Sequence, residues 1–533
     1  MGASLRALRA LVLLAGFYLL GVVLLAVLAG LDFLAVRGGL HGPAAVKIII
    51  VSVVLAIPIV RGLFMLRTPK DEPPAGIPVT EAQEPALWEA VRDIARQVGT
   101  RAPDRILLID EVNAAVDEEA RLLGLLPGTR RLYIGLPLMS GMDEMQLRAV
   151  LAHEMGHYAN LDTRLTPLIA RGRAQLIRTI GHFHERADNK VAKERARQEK
   201  AAEKRIAKGK KAREIDTSGE GAMYRAMAKL YTAYGNFYMR ATLSSARRQE
   251  LAADLASVRV AGRDSAASAL RELNALGSAH EFYMSSYATL GVGAGLLPPP
   301  GEVFGGLRRL LEARPDELED MRRELSTEPA SPYDSHPALA ERVARIEALA
   351  DDGRAGQAAR PALELLSDAD GALAALEQVA LTPEALGLKR LDWEDLVHES
   401  MTLYVSQGAE ELREALSAEG AGPELSTLLD AIDADPAVRW RIADRFPKSE
   451  QAAAATGRAA REFSRPVLRR VVNQLVTVEL TARGAARWQL SWSESATLRY
   501  PVDGFEERLG LALDAAVADQ PDTESLRKLV LAP

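Results

Sequence analysis

The residues best suited to chemistry are His153, Glu154 and His157, which spell HEMGH. On a helix, residues four apart lie one turn apart on the same face. Both imidazoles can then bind one Zn²⁺ while Glu154, one position along, reaches a water on that metal. With eight His in the chain, such a pattern arises by chance in roughly one chain of this kind per hundred. The plainer reading is a helix whose two His are polar surface residues. Leu147, Val150 and Leu151 beside them argue instead for a buried helix, where unpaired imidazoles would be costly. A catalytic zinc also needs a third protein ligand and an open position. Glu250, in RRQELAADLASVRVAG, is the best candidate ligand, and Asp254, one turn further on the same face, could hold a ligating His by its second nitrogen. Without further information, an exposed helix carboxylate would be the default account of Glu250.

Elements able to position these groups can be read around them. Residues 143–160 predict a helix, with an acidic pair at its start where the dipole favours negative charge. Residues 85–99 predict an amphipathic helix with Leu87, Val91, Ile94 and Val98 on one side. Strand-like runs at 105–109 (RILLI) and 131–134 (RLYI) flank a segment containing NAAV and the turn at 127–129, which predicts a small sheet. Between HEMGH and Glu250, residues 190–213 carry eleven basic and three acidic residues. This is expected to be a solvated helical arm within a basic insertion at 186–215, with contact to an anionic membrane leaflet as the sharper reading. Tyr224, Tyr231, Tyr234 and Tyr238 follow as a helical stripe, by default a packing surface. After a Gly/Pro-rich break at 291–301, helices resume. From residue 351 onward, 20 basic residues face 31 acidic ones, and short helices are expected to lead into strand-like runs at 475–481 and 488–500. We expect an acidic α+β domain of unknown role over 351–533.

The N-terminus points to a membrane. Residues 10–31 carry no charge over 22 positions, enough at about 1.5 Å per residue to cross a hydrocarbon core of about 30 Å. A cleaved signal would have a shorter apolar region, and here a second apolar stretch, 44–66, follows at once. In that stretch Lys47 and Arg61 leave an uncharged centre at 48–60 with Pro58 inside; a transmembrane hairpin over 1–70 is the reading, with a buried or re-entrant second helix as the alternative. Five basic residues flank the hairpin (Arg6, Arg9, Arg61, Arg67 and Lys70) against two in its linker (Arg37 and Lys47). The positive-inside rule then places both termini, and the catalytic domain, in the cytoplasm at the cell membrane.

Composition narrows the rest. Across 533 residues the chain is 48% hydrophobic and 26% charged with a net charge of −6, the balance of a folded protein without a global basic excess for nucleic acid. Cysteine is absent, which excludes disulfides, Cys-ligated zinc, iron–sulfur clusters and thiol nucleophiles. No G-x-S-x-G elbow supports serine chemistry.

HEMGH after LRAVLA, followed by E-x-x-x-D in an Ala-rich helix, resembles the family of membrane-associated zinc metallopeptidases that includes HtpX and the CAAX prenyl endopeptidases. The resemblance covers about residues 80–350. It implies one Zn²⁺ per chain held by His153, His157 and Glu250, with Glu154 as the catalytic carboxylate and Asp254 behind a ligand. Asn113 and Ala114 look like the family's substrate-binding edge strand. His336, in SHPALAERV, is a candidate for stabilising the oxyanion, with Arg342 a weaker candidate of the same kind. The expected architecture is a membrane-anchored, mainly α protein. It has an N-terminal transmembrane hairpin, a zincin-type metallopeptidase domain with a small β-sheet over 71–350, and the C-terminal α+β domain. The expected function is zinc-dependent endopeptidase cleavage of unfolded or membrane polypeptides in cytoplasmic-side quality control. The rival is a catalytically latent, metal-stabilised membrane scaffold; oligomeric state is left open.

Overall fold

The computed structural model describes residues 3–38, single positions between 46 and 60, 75–118, 128–159, 166–208, 210–211, 215–327, 337–354 and 360–531. The chain is mainly helical and divides into two compact units. The first comprises Met1–Leu276 and Glu319–Ala369, the second Gly277–Leu318 and Asp370–Pro533. These units do not follow the division expected at residue 350.

In the first unit, α1 (Ala3–Arg37) is a single long helix. Its stretch Tyr18–Arg37 is, among the described residues, the one helix long and apolar enough to cross a membrane by length and composition. Val12, Leu19, Val23, Val27, Leu31 and Leu34 are exposed along it. Most of the second apolar stretch lies outside the described residues. Its described positions are helical, and the Ser52 hydroxyl donates to Asp32 Oδ1 at 2.7 Å.

A four-stranded sheet follows, with β1 (Gly76–Val79), β2 (Arg105–Ile109), β3 (Ala114–Glu118) and β4 (Arg130–Gly135) in the order β1-β2-β4-β3. β2 and β4 run parallel, and β1 and β3 pair antiparallel on the outside. Among the described residues, β3 is therefore an edge strand. The amphipathic helix α2 (Pro85–Val98) buries Leu87, Val91, Ile94 and Val98, the four residues its periodicity selects. At the end of β4, a Cβ on Gly135 would stand 1.8 Å from the Glu111 carbonyl oxygen, so no other residue fits the turn into α3 (Leu136–Gly141).

The HEMGH helix is α4 (Glu144–Ala159). Its start is a reciprocal cap. Gln146 N–H donates to Asp143 Oδ1 at 2.7 Å, and Asp143 N–H donates to Gln146 Oε1 at 2.9 Å, satisfying two backbone donors that the helix itself cannot. Residues 360–362, expected in the C-terminal domain, return to this end: Glu144 N–H donates to the Arg360 carbonyl and Ala362 N–H to the Met142 carbonyl.

Two long helices, α5 (Thr166–Ile206) and α6 (Ala222–Ala261), carry the chain out and back between HEMGH and Glu250. The basic arm is the distal half of α5, exposed to solvent and laced by in-helix pairs such as Arg197 to Glu194 at 2.7 Å. The tyrosine stripe packs, as its spacing suggests. Tyr231 and Tyr238 are fully buried with Leu176 and Phe183, Tyr231 stacks on Phe183 at 5.3 Å, and Tyr18 and Leu24 of α1 lie against the same cluster. α7 (Arg263–Tyr283) and α8 (Leu339–Glu347) reach the HEMGH helix through side chains, Gln146 Nε2 donating to Ser268 Oγ at 2.6 Å and Arg342 Nη2 lying 3.3 Å from His153 Nδ1.

The second unit is a helical assembly with two two-stranded pairings, Leu296–Leu297 with Lys389–Arg390 and Arg487–Gln489 with Thr497–Arg499. The latter hairpin occupies the run expected at 488–500. The strand expected at 475–481 is not one: these residues belong to α9 (Gly457–Ala482). LVTVELT alternates as a strand would, but Leu468, Val472, Leu475, Val476 and Leu480 bury at helical spacing against Leu412, Leu428, Ile432 and Leu513. Packing of a helical face overrides the β preference of its valines and threonines.

Candidate metal centre

α4 and α6 bring the candidate residues together because they pack closely. A Cβ on Gly156 would stand 3.1 Å from both Ala253 Cα and Ala256 Cβ, so the glycine inside HEMGH lets the two helices approach. Ser257 Oγ donates to the Ala149 carbonyl at 2.8 Å in the same buried seam, fixing the helices' relative register.

His153, His157 and Glu250 converge at this crossing, with ligand atoms within 4.8 Å of one another. The two Nε2 atoms are 3.3 Å apart; Glu250 Oε2 lies 3.6 Å from His153 Nε2, and Oε1 lies 3.8 Å from His157 Nε2. Tetrahedral coordination with bonds of about 2.1 Å puts ligand atoms about 3.4 Å apart. The donor set fits such a centre, and three ligands leave a fourth position open. Glu154 is half-buried on the same helix, beside His153.

Behind the ligands lies a buried network. His153 Nδ1 is 3.0 Å from Asp254 Oδ1, which turns Nε2 toward the cluster and selects the tautomer a metal needs. Arg342 clasps Asp254 with two donors, Nη2 to Oδ1 at 2.6 Å and Nε to Oδ2 at 3.2 Å, and its Nη2 lies 3.3 Å from His153 Nδ1. Burial works against charge on all three, yet the partners prevail. Asp254 is held below its ordinary value by His153 and Arg342, Arg342 is raised by Asp254, and His153 is raised to about 9 by Asp254 and Glu250. Removing one member of such a pair leaves an uncompensated buried charge. Arg342→Ala is therefore expected to destabilise this unit by about 3–5 kcal/mol, measured by denaturant unfolding.

A pH dependence follows from His153. Its folded value lies above the ordinary 6.5, so in the metal-free protein this contribution is fully present below pH 6.5 and lost as pH rises through about 9. A metal on Nε2 replaces that proton. The unfolding temperature of metal-loaded protein should thus exceed that of metal-free protein by a margin that widens from pH 6.5 to about 9. A constant margin would show that His153 does not exchange its proton for metal.

The edge strand is tied to the same helix. Tyr158, directly after HEMGH, donates to the Val116 carbonyl at 2.8 Å. The Arg130 guanidinium covers the Tyr158 ring at 4.8 Å and itself pairs with Glu118 at 2.8 Å. Burial, then the nearby carboxylate of Asp117, pushes the Tyr158 phenol to about 12, so it remains a donor. Asn113 is exposed and its carbonyl accepts from Gly135 N–H at 2.8 Å, while Ala114 is buried opposite Ile134. His336 lies outside the described residues.

Sequence reasoning placed Arg342 only as a weak oxyanion candidate and passed over Tyr158 and Ser257. Tyr158 had one available signal, a phenol at the last turn of the HEMGH helix. The Arg342 and Ser257 partners lie 88 and 108 residues away, and no local pattern reveals them.

Comparison with known proteins gives one finding. No curated protein and no solved structure matches the chain. The model of Peptidase family M48 matches residues 81–350, a stretch that holds HEMGH, Glu250, Asp254 and Arg342. With half of its length matched and a His–His–Glu cluster at the crossing of α4 and α6, the chain belongs to Peptidase family M48, a family of metal-dependent peptidases.

Proposed function

We propose that this protein is a membrane-anchored zinc endopeptidase, and the observation that carries the reading is the His153, His157 and Glu250 cluster beside Glu154. Two imidazoles and a carboxylate are a donor set that suits zinc and leaves a position for water and substrate. Bound there, zinc would polarise the scissile carbonyl and acidify a water. Glu154 takes a proton from the attacking water and passes it to the leaving nitrogen, so the peptide bond is exchanged for an acid and an amine with no covalent enzyme intermediate. Asp254 and Arg342 hold the His153 ring in place throughout. His336 is the proposed donor to the oxyanion.

Substrate would add beside β3 as a further strand past Asn113 and Ala114, ahead of the Val116 carbonyl that already accepts from Tyr158. Backbone pairing of this kind favours unfolded segments over folded surfaces. The exposed apolar residues of α1 support a membrane anchor, and the bond from Ser52 to Asp32 supports pairing of the second apolar stretch with it. With charge bias placing the catalytic unit in the cytoplasm at the cell membrane, turnover of misfolded or membrane proteins is the role we propose.

The test is cleavage of an unfolded protein by the purified full chain in detergent. We expect cleavage with zinc, loss on chelation and recovery on zinc addition. A chain that binds zinc but cleaves nothing would instead be a latent, metal-stabilised membrane scaffold.

A further inference from the structure

The basic arm on the distal half of α5 is a strongly charged surface for which the proposed chemistry has no use, and its cations are sorted rather than scattered. Arg186, Lys190, Lys193, Arg197, Lys200 and Lys204 follow one another at spacings of four, three, four, three and four, which sets them in a single stripe along the helix, and all six are exposed. The stripe rises about 27 Å. Glu185, Asp188, Glu199 and Glu203 fall on a different side, and the buried Phe183 and Ala187 mark a third, which faces the returning chain. There the Gln198 amide donates to the Asp216 carbonyl at 2.7 Å and accepts from Asp216 N–H at 2.9 Å.

Sorting charge in this way costs helix stability, because like charges three or four apart repel. The pairs Arg195 with Glu199 and Arg197 with Glu194 show the alternative on the same helix, in which opposite signs meet. Among the described residues, no carboxylate pairs with Lys190, Lys193, Lys200 or Lys204. Such a stripe is stabilised by a partner that is itself an extended anionic surface.

The helices that carry the stripe identify that surface. One turn before Arg186, Phe183 packs with Leu176, Tyr231 and Tyr238, and Tyr18 and Leu24 of α1 lie against this cluster. A Cβ on Gly16 would stand 2.8 Å from Tyr234 Oη, so the apolar helix sits close on α6. Leu230 and Phe237, one turn to either side of Tyr234, are exposed, Phe237 by 57%. Exposed aliphatic and aromatic groups beside an apolar anchor suit the boundary between headgroups and acyl chains, and a nucleic-acid duplex has no use for them.

Resting on α1 as the membrane anchor, we infer that the stripe from Arg186 to Lys204 is a docking surface for anionic lipid headgroups, so that the pair of long helices lies against the leaflet that α1 enters. An anchor at α1 alone leaves the unit free to swivel. A second contact along α5 and α6 fixes how the metal centre, whose Glu250 is on α6, stands to the bilayer.

The chain has no cysteine, so a single dye can be placed by substitution. Ala201→Cys puts it on the stripe between Arg197 and Lys204, and Ala192→Cys puts it on the acidic side; both positions are exposed. The full chain is reconstituted in vesicles that carry a nitroxide-headgroup lipid, made of phosphatidylcholine alone or mixed with phosphatidylglycerol, and quenching of the dye is measured. We expect strong quenching from Ala201→Cys in the anionic vesicles only, weaker quenching from Ala192→Cys, and loss of both in about 1 M salt, where the screening length falls to about 3 Å. Each charge removed from the stripe should lower the docked-to-undocked ratio about fivefold. Lys190→Gln, Lys193→Gln, Lys200→Gln and Lys204→Gln combined should therefore abolish quenching. Gln matches Lys in helix propensity, and the salt series decides the matter without the fourfold variant if that variant does not fold. Equal quenching in neutral and anionic vesicles, or none in either, would overturn the stripe as a lipid surface and leave the anchor intact. Binding of duplex DNA by the detergent-solubilised chain, lost in the fourfold variant and without quenching in anionic vesicles, would reassign the stripe to nucleic acid. A chain that high salt washes off neutral vesicles would overturn the anchor and the docking surface together.

Discussion

Glu154→Gln should lower kcat by about two to four orders of magnitude and leave the bound zinc unchanged. The two halves of this result test different things. Glu154 is outside the cluster formed by His153, His157 and Glu250, so a neutral amide of the same shape removes no ligand. It does remove the one carboxylate adjacent on α4 that can accept a proton from the attacking water. KM should change little, because the amide keeps the shape of the carboxylate and β3 is untouched. Metal content by elemental analysis and turnover on an unfolded substrate suffice as readouts. Full activity in the variant would refute Glu154 as the base, and loss of zinc would show that it acts on the metal site instead.

Glu250→Ala should reduce zinc affinity by more than the roughly hundredfold upper range seen when an outer-sphere partner of a metal ligand is removed. Glu250 is the only anionic member of the cluster, and it comes from the facing helix α6. Without it, two imidazoles on one helix remain, and the charge that offsets a divalent cation is gone. The loss should be read by competition with a chromogenic chelator at fixed pH, because His153 must release its proton to bind. A variant that keeps a full zinc complement would refute the ligand assignment. Asp254→Asn gives a useful contrast: it perturbs His153 from behind, and its affinity loss should stay within about tenfold to hundredfold.

Much of this site was legible in the sequence because its signals are local. The spacing of HEMGH states which side chains share a helix face, and the E-x-x-x-D pair states the same for Glu250 and Asp254. The period of Leu87, Val91, Ile94 and Val98 identified the buried side of α2, and RILLI and RLYI became adjacent parallel strands. Local signals also misled where packing ruled. LVTVELT has the alternation of a strand, yet it is a helix whose apolar side completes the core of the second unit. Likewise, residues 360–369 follow the acidic composition of the C-terminal region but belong with the HEMGH helix through backbone bonds to Met142 and Glu144.

By itself, then, the sequence determined the candidate ligand types, their helical phase, the carboxylate between the two His and the apolar N-terminal helix, since each depends on residues within one or two turns. Only the tertiary structure decided how His153 and Glu250, 97 positions apart, come within 3.6 Å. It also decided that Arg342 holds Asp254 and that Tyr158 ties the edge strand to the HEMGH helix. Each of these is a contact between distant segments, and the first is made by the close approach of α4 and α6 over Gly156. Such an approach depends on the summed packing of both helices, which no short window of residues contains.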